Sequence, residues 1–95
     1  MERPVNVTEQ IQAASIIIDL VKSFLSNRLD AVSFWQDGED TLIEFTLSDD
    51  RIGMFRLSLT KIVLDVETHG VTRKRSTRYE DFQDVTQWLE ALSND

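Results

Sequence analysis

Apolar positions in this chain recur first at intervals of three and four, then at intervals of two, and at the end again at three and four. In the first block Ile11, Ala14, Ile18, Val21 and Leu25 fall on one stripe, which Ile17, Phe24 and Leu29 widen, the signature of an amphipathic helix. Asn6 precedes it, with Glu9 three residues on, the spacing at which a capping side chain and a returning carboxylate satisfy exposed N–H groups. The helix should begin near Val7. Ile16 and Leu20 lie beside or behind the stripe, so the helix is apolar around more than half its circumference. Either its own domain covers it on two sides, or part of it meets another chain.

After Asn27 and Arg28 the period becomes two. AVSFWQ (31–36) precedes the turn DGED, and TLIEFTLS (41–48) alternates Ile43, Phe45 and Leu47 with Glu44, Thr46 and Ser48, which reads as a hairpin with one buried face. DDRIG (49–53) reads as a second turn. MFRLSL then places Phe55, Leu57 and Leu59 inward. Ile62, Leu64 and Val66 are out of phase with Leu59, so a turn at Thr60 and Lys61 into a fourth strand is favoured over one long bulged strand. His69 and Gly70 stand where a two-residue hairpin loop would, which returns VTRKRSTR along the fourth strand.

Thr77 and Glu80 have capping-box spacing, Asp81 adds charge suited to a first helical turn, and Phe82, Val85, Trp88, Leu89 and Leu92 follow at helical steps. The fold class that results is α+β. A two-layer sandwich is expected over residues 1–95 as one domain: helix, four- or five-stranded antiparallel sheet, helix, with both helices on one sheet face. The other face reads Glu44, Thr46, Ser48, Arg56, Ser58, Asp65 and Glu67 and should be open and polar.

Ninety-five residues are enough to bury roughly 60–65% of the unfolded chain's surface, so no cofactor is needed to complete the core. Without cysteine there is neither a disulfide framework nor a thiolate nucleophile, and a cytoplasmic setting fits. No apolar run approaches the ~20 residues of a membrane-spanning helix, and the first ten residues lack the layout of a secretory signal. The formal charge of -7 is uneven: residues 1–50 hold ten acidic and three basic side chains, residues 51–95 seven of each.

The second half also gathers Arg73, Lys74, Arg75 and Arg78 within six positions. Neither alternating set of 71–78 is apolar enough to line a core, so this strand belongs at a sheet edge. There the cations are read as an edge that discourages further pairing, with Asp65 and Glu67 lying across from them. The rival reading is a site for an anionic partner, nucleic acid included. Overall acidity and the lack of aromatic residues among the cations weigh against nucleic acid.

Little else in the chain carries chemistry. His69, the only histidine, sits in a turn without a nucleophile or orienting partner nearby in sequence. Asp37, Glu39 and Asp40, like Asp49 and Asp50, lack the alternate-position spacing of a calcium loop, and no glycine-rich phosphate loop occurs. Neither catalysis, a metal nor a cofactor is therefore expected. Trp88 belongs to the second helix's stripe. Trp35 and Phe34 point to opposite sheet faces, and if Val32 and Phe34 turn inward, Trp35 stands on the polar face near the hairpin tip. These features predict a non-enzymatic protein that binds another protein, as inhibitor, adaptor or subunit. The surface expected to do so is the acidic polar face with Trp35, Asp37, Glu39, Asp40, Glu44 and Arg56. A homodimer through the first helix is compatible with this reading, and no membrane contact is expected.

Overall fold

In the computed structural model, which describes residues 4–94, the Asn6 side chain accepts a hydrogen bond from the Glu9 N–H at 2.8 Å and α1 (Val7–Phe24) begins there. The helix stops at Phe24, and Leu29 opens the first strand instead of extending the helical stripe. The buried stripe is also rotated from the expected one. Its centre runs through Gln10, Ala13, Ala14, Ile17 and Val21, while Ile11 and Ile16 remain half-exposed on the outer surface. Those two are five positions apart, about 140° around the helix, and so do not share a stripe.

Five strands follow, β1 (Leu29–Asp37), β2 (Asp40–Leu47), β3 (Ile52–Leu57), β4 (Lys61–Thr68) and β5 (Val71–Arg78), and their order in the antiparallel sheet is their order in the chain. Two-residue loops join β1 to β2 and β4 to β5. Gly38 takes a φ of 62° in the first, and His69 and Gly70 take 51° and 83° in the second, the backbone that matches the twist of a hairpin. The break in phase after Leu59 is a turn, closed by the Ser58 N–H on the Lys61 carbonyl at 2.9 Å.

The chain reaches its last helix later than the capping spacing implies. Thr77 is still in β5, a 3-10 turn spans Tyr79–Asp81, and α2 covers Gln83–Asn94. The Thr77 hydroxyl donates to the Asp84 carboxylate at 2.8 Å, tying the strand to the helix across six intervening residues. Register pairing carries the expected sheet residues Ile43, Phe45, Leu47, Phe55, Leu57, Ile62 and Leu64 onto one face. They form one core with Ala13, Ala14, Ile17 and Val21 of α1 and Val85, Leu89 and Leu92 of α2. Both helices thus cover the same face, and Trp88 packs against this core as expected. A fully buried side chain of this size contributes about 1.5–3 kcal/mol, so the sandwich rests on this layer.

Gly53 departs from the sequence reading. It lies inside β3, paired between Phe45 and Val66, with the Phe45 ring over the place its side chain would occupy.

Candidate partner-binding site

The hairpin of β1 and β2 brings most of the anticipated acidic surface together. Asp37 and Asp40 face each other across its loop, and Arg56 of β3 reaches both, with Nη1 2.7 Å from Asp40 and Nη2 3.5 Å from Asp37. The hydrogen bond to Asp40 holds the guanidinium's pKa even further above neutrality. Trp35, Leu42 and Arg56 form one cross-strand row that continues through Val63 to Ser76, and Glu44 lies in the next row with Met54, Asp65 and Lys74. Glu39 caps the hairpin tip. All six residues of the anticipated site therefore lie at one corner of the open face or on its turn.

Trp35 is 40% exposed on the open face, on an edge strand with no neighbouring strand on its outer side among the described residues. Val32 and Phe34 do turn to the helix side, opposite Phe45 and Ile43, and Val32 packs against the core, yet Phe34 is 65% exposed. Neither aromatic of the pair is in the core.

The open face is less polar than the sequence suggests. Glu44, Thr46, Arg56, Asp65 and Glu67 are on it as expected, but Leu42, Met54, Val63 and Ile52 share it. Leu42 is only 4% exposed although no helix covers it. Its neighbours in register are Trp35 and Arg56, so an apolar strip runs beneath the polar rim of this corner. The adjacent apolar pair Leu42 and Ile43 held the signal, since consecutive strand residues must face opposite ways.

A buried polar network fixes this corner to α1. Gln10, fully buried, donates from Nε2 to the Glu39 carbonyl at 2.9 Å, and its Oε1 accepts from the Thr41 hydroxyl and, at 3.3 Å, from Gln36 Nε2. An apolar residue in that place would leave the Glu39 carbonyl and the Thr41 hydroxyl without these partners.

Tyr79, the chain's single tyrosine, borders the same region and donates its hydroxyl to the Ser58 carbonyl at 2.6 Å. Burial, with a smaller contribution from the negative charge of Asp40, pushes its pKa up to about 12. A raised pKa favours the neutral phenol in the folded state. This stabilisation is complete below pH 10 and is lost as pH rises toward 12. Absorbance of the phenolate at 295 nm should accordingly titrate near pH 12 in the native protein and near 10 in urea, and a native midpoint at 10 would contradict the buried hydroxyl.

The four cations of β5 are divided. Arg78 is taken up by Asp81, at 3.1 Å, and by Glu80. Lys74 lies on the open face across from Asp65, whereas Arg73 and Arg75 pair with Val66 and Leu64 and so lie on the helix side. Asp65 and Glu67 stand across from Lys74 and Thr72, but no ion pair forms between Asp65 and Lys74. His69 is exposed in its loop. Among the described residues no group of three or more His, Asp or Glu is placed to hold a metal ion, and no helix is long and apolar enough to cross a membrane. Comparison with known protein families, with characterised proteins and with solved structures finds no match to this chain.

Proposed function

We propose that this protein acts in the cytoplasm, without catalysing a reaction, by binding another protein through the open sheet face at its β1 corner, as an inhibitor, adaptor or subunit. The observation that carries the reading is Trp35, a half-exposed indole on an unpaired edge, next to buried Leu42 and ringed by Asp37, Asp40, Glu44 and Arg56. An aromatic anchor over an apolar strip with a charged rim is how energetically dominant interface residues are usually set. The Arg56 pairs are exposed, so they orient the rim more than they stabilise the fold. The β1 edge adds backbone groups to which a partner strand can bond. A symmetric dimer along α1 has less behind it, because its exposed Val7 and Ile11 lie on a different side of the helix from Ile16.

The immobilised protein should retain a partner from extracts of its native cell, and Trp35→Ala should reduce retention at least tenfold, about 1.4 kcal/mol of binding. Equal retention by the wild-type and Trp35→Ala proteins would remove this corner as the interface.

A further inference from the structure

The opposite edge of the sheet carries a second surface of different character, and its features do not depend on Trp35 or β1. Among the described residues β5 pairs with β4 on one side only, which leaves its outer backbone edge open over Val71–Arg78. Arg73, Lys74 and Arg75 are exposed along it, and none of the three forms an ion pair among the described residues. Alternation places Arg73 and Arg75 on the helix side and Lys74 on the open face. On the helix side the two arginines border a groove of about 410 Å³ whose other walls include Val66, Val71 and Leu92. Val71, at the start of the strand, is one of the chain's exposed large apolar side chains.

The geometry points to β5 as a docking edge for an acidic, extended segment of a partner protein, which joins the sheet as a sixth strand. Cationic edges deter pairing with a like edge, but toward a strand of carboxylates the same charges attract. An antiparallel strand would meet Arg75, Lys74, Arg73, Thr72 and Val71 in that order. The matching segment therefore reads acidic, acidic or polar, acidic, polar, apolar: two carboxylates on the helix side against the arginines, and one apolar side chain beside Val71 at the groove. The net charge of -7 does not prevent this. Asp49, near the groove, is paired with Arg51, and the acidic corner at β1 lies four strand spacings, roughly 19 Å, from β5. That is about twice the ~10 Å screening length at 0.1 M salt. Nucleic acid fits less well, since no aromatic side chain lies along β5 to stack on a base.

The test is a titration of the isotope-labelled full chain with the capped peptide TEEETVT, followed by amide chemical shifts and hydrogen exchange. The expected result is shift changes confined to β5, β4 and the end of α2, slower exchange of outward-facing β5 amides, and affinity that falls as salt rises. The charge-reversed peptide TKKKTVT should bind at least tenfold more weakly to the same wild-type protein, and Arg73→Glu with Arg75→Glu should weaken TEEETVT at least tenfold. Equal binding of the two peptides, or shifts that map away from β5, overturns the proposal. So does an oligo-dT of eight nucleotides that binds this edge more tightly than TEEETVT, because the site would then be one for phosphate chains. None of these outcomes bears on Trp35, so the two interfaces stand or fall separately.

Discussion

Alanine at position 53 is expected to lower stability by about 3 kcal/mol, the upper end of what overpacking a core usually costs. A strand glycine is ordinarily weak, and adding a methyl group to one should help by restoring β propensity. Here the sign reverses. A Cβ on Gly53 would fall within the ring of Phe45, which is almost completely buried and stacks at a tilt on Phe55, with centroids 6.0 Å apart. The ring cannot move aside without displacing the layer that both helices rest on. Urea denaturation should show a lower midpoint with an unchanged slope. Phe45→Leu in the Gly53→Ala background should recover part of the loss, while Phe45→Leu alone destabilises. A coupling of at least 1 kcal/mol in this double-mutant cycle would establish the ring as the cause, and simple additivity would refute it.

Gly53 also illustrates where the sequence could and could not be read. Periods of three to four and of two placed the helices and strands, because burying one face imposes those periods directly. A glycine following Asp49, Asp50 and Arg51 reads as part of a turn, and nothing in the one-dimensional pattern says that an aromatic ring will lie across it from the neighbouring strand. Gln10 was hidden by its chemistry. It has the helical spacing of Ala13, Ala14 and Ile17, but a polar residue gives no apolar signal, so the visible apolar periodicity runs through Ile11 instead. Thr77 has a capping partner at the right spacing, yet sheet pairing with Ile62 holds it in β5.

The division of the basic strand was within reach of the sequence. A two-residue loop at His69 and Gly70 pairs Thr68 with Val71, and counting outward sets Leu64 opposite Arg75 and Val66 opposite Arg73. Those arginines must then share the face of Leu64, however polar they are. The same count from the Gly38 loop sets Trp35 opposite Leu42. Loop length thus determines which side chains can act together at each edge. The acidic rim of β1 and the cations of β5 are kept at opposite ends of one meander, where a partner can meet either without the other.

Arg51→Ala is the second change expected to have a large effect, also about 3 kcal/mol, since it removes both the packing of a buried side chain and its hydrogen bonds. Arg51 is 7% exposed just before β3. Its Nε lies 2.9 and 3.1 Å from the two Asp49 carboxylate oxygens, Nη2 lies 2.8 Å from one of them, and Nη1 donates to the Leu92 carbonyl at 3.2 Å. The side chain therefore ties the loop between β2 and β3 to the last turn of α2, where carbonyls lack helical partners. The hydrogen bond from Arg51 holds the Asp49 carboxyl below its usual 3.8. A lowered pKa stabilises the folded state above that value, and the contribution disappears as pH falls below it. Three substitutions separate charge from volume. Arg51→Met keeps most of the volume and leaves Asp49 half-exposed to water, so it should cost only about 1 kcal/mol. Arg51→Lys keeps the charge but cannot make the forked contact, and should cost about 2 kcal/mol. Arg51→Ala loses both, and should also speed hydrogen exchange in the last turn of α2. Equal losses for Met and Ala would mean that the hydrogen bonds, and not the packing, hold the helix end. Wild-type stability in both variants would show that α2 is secured by Val85, Leu89 and Leu92 alone.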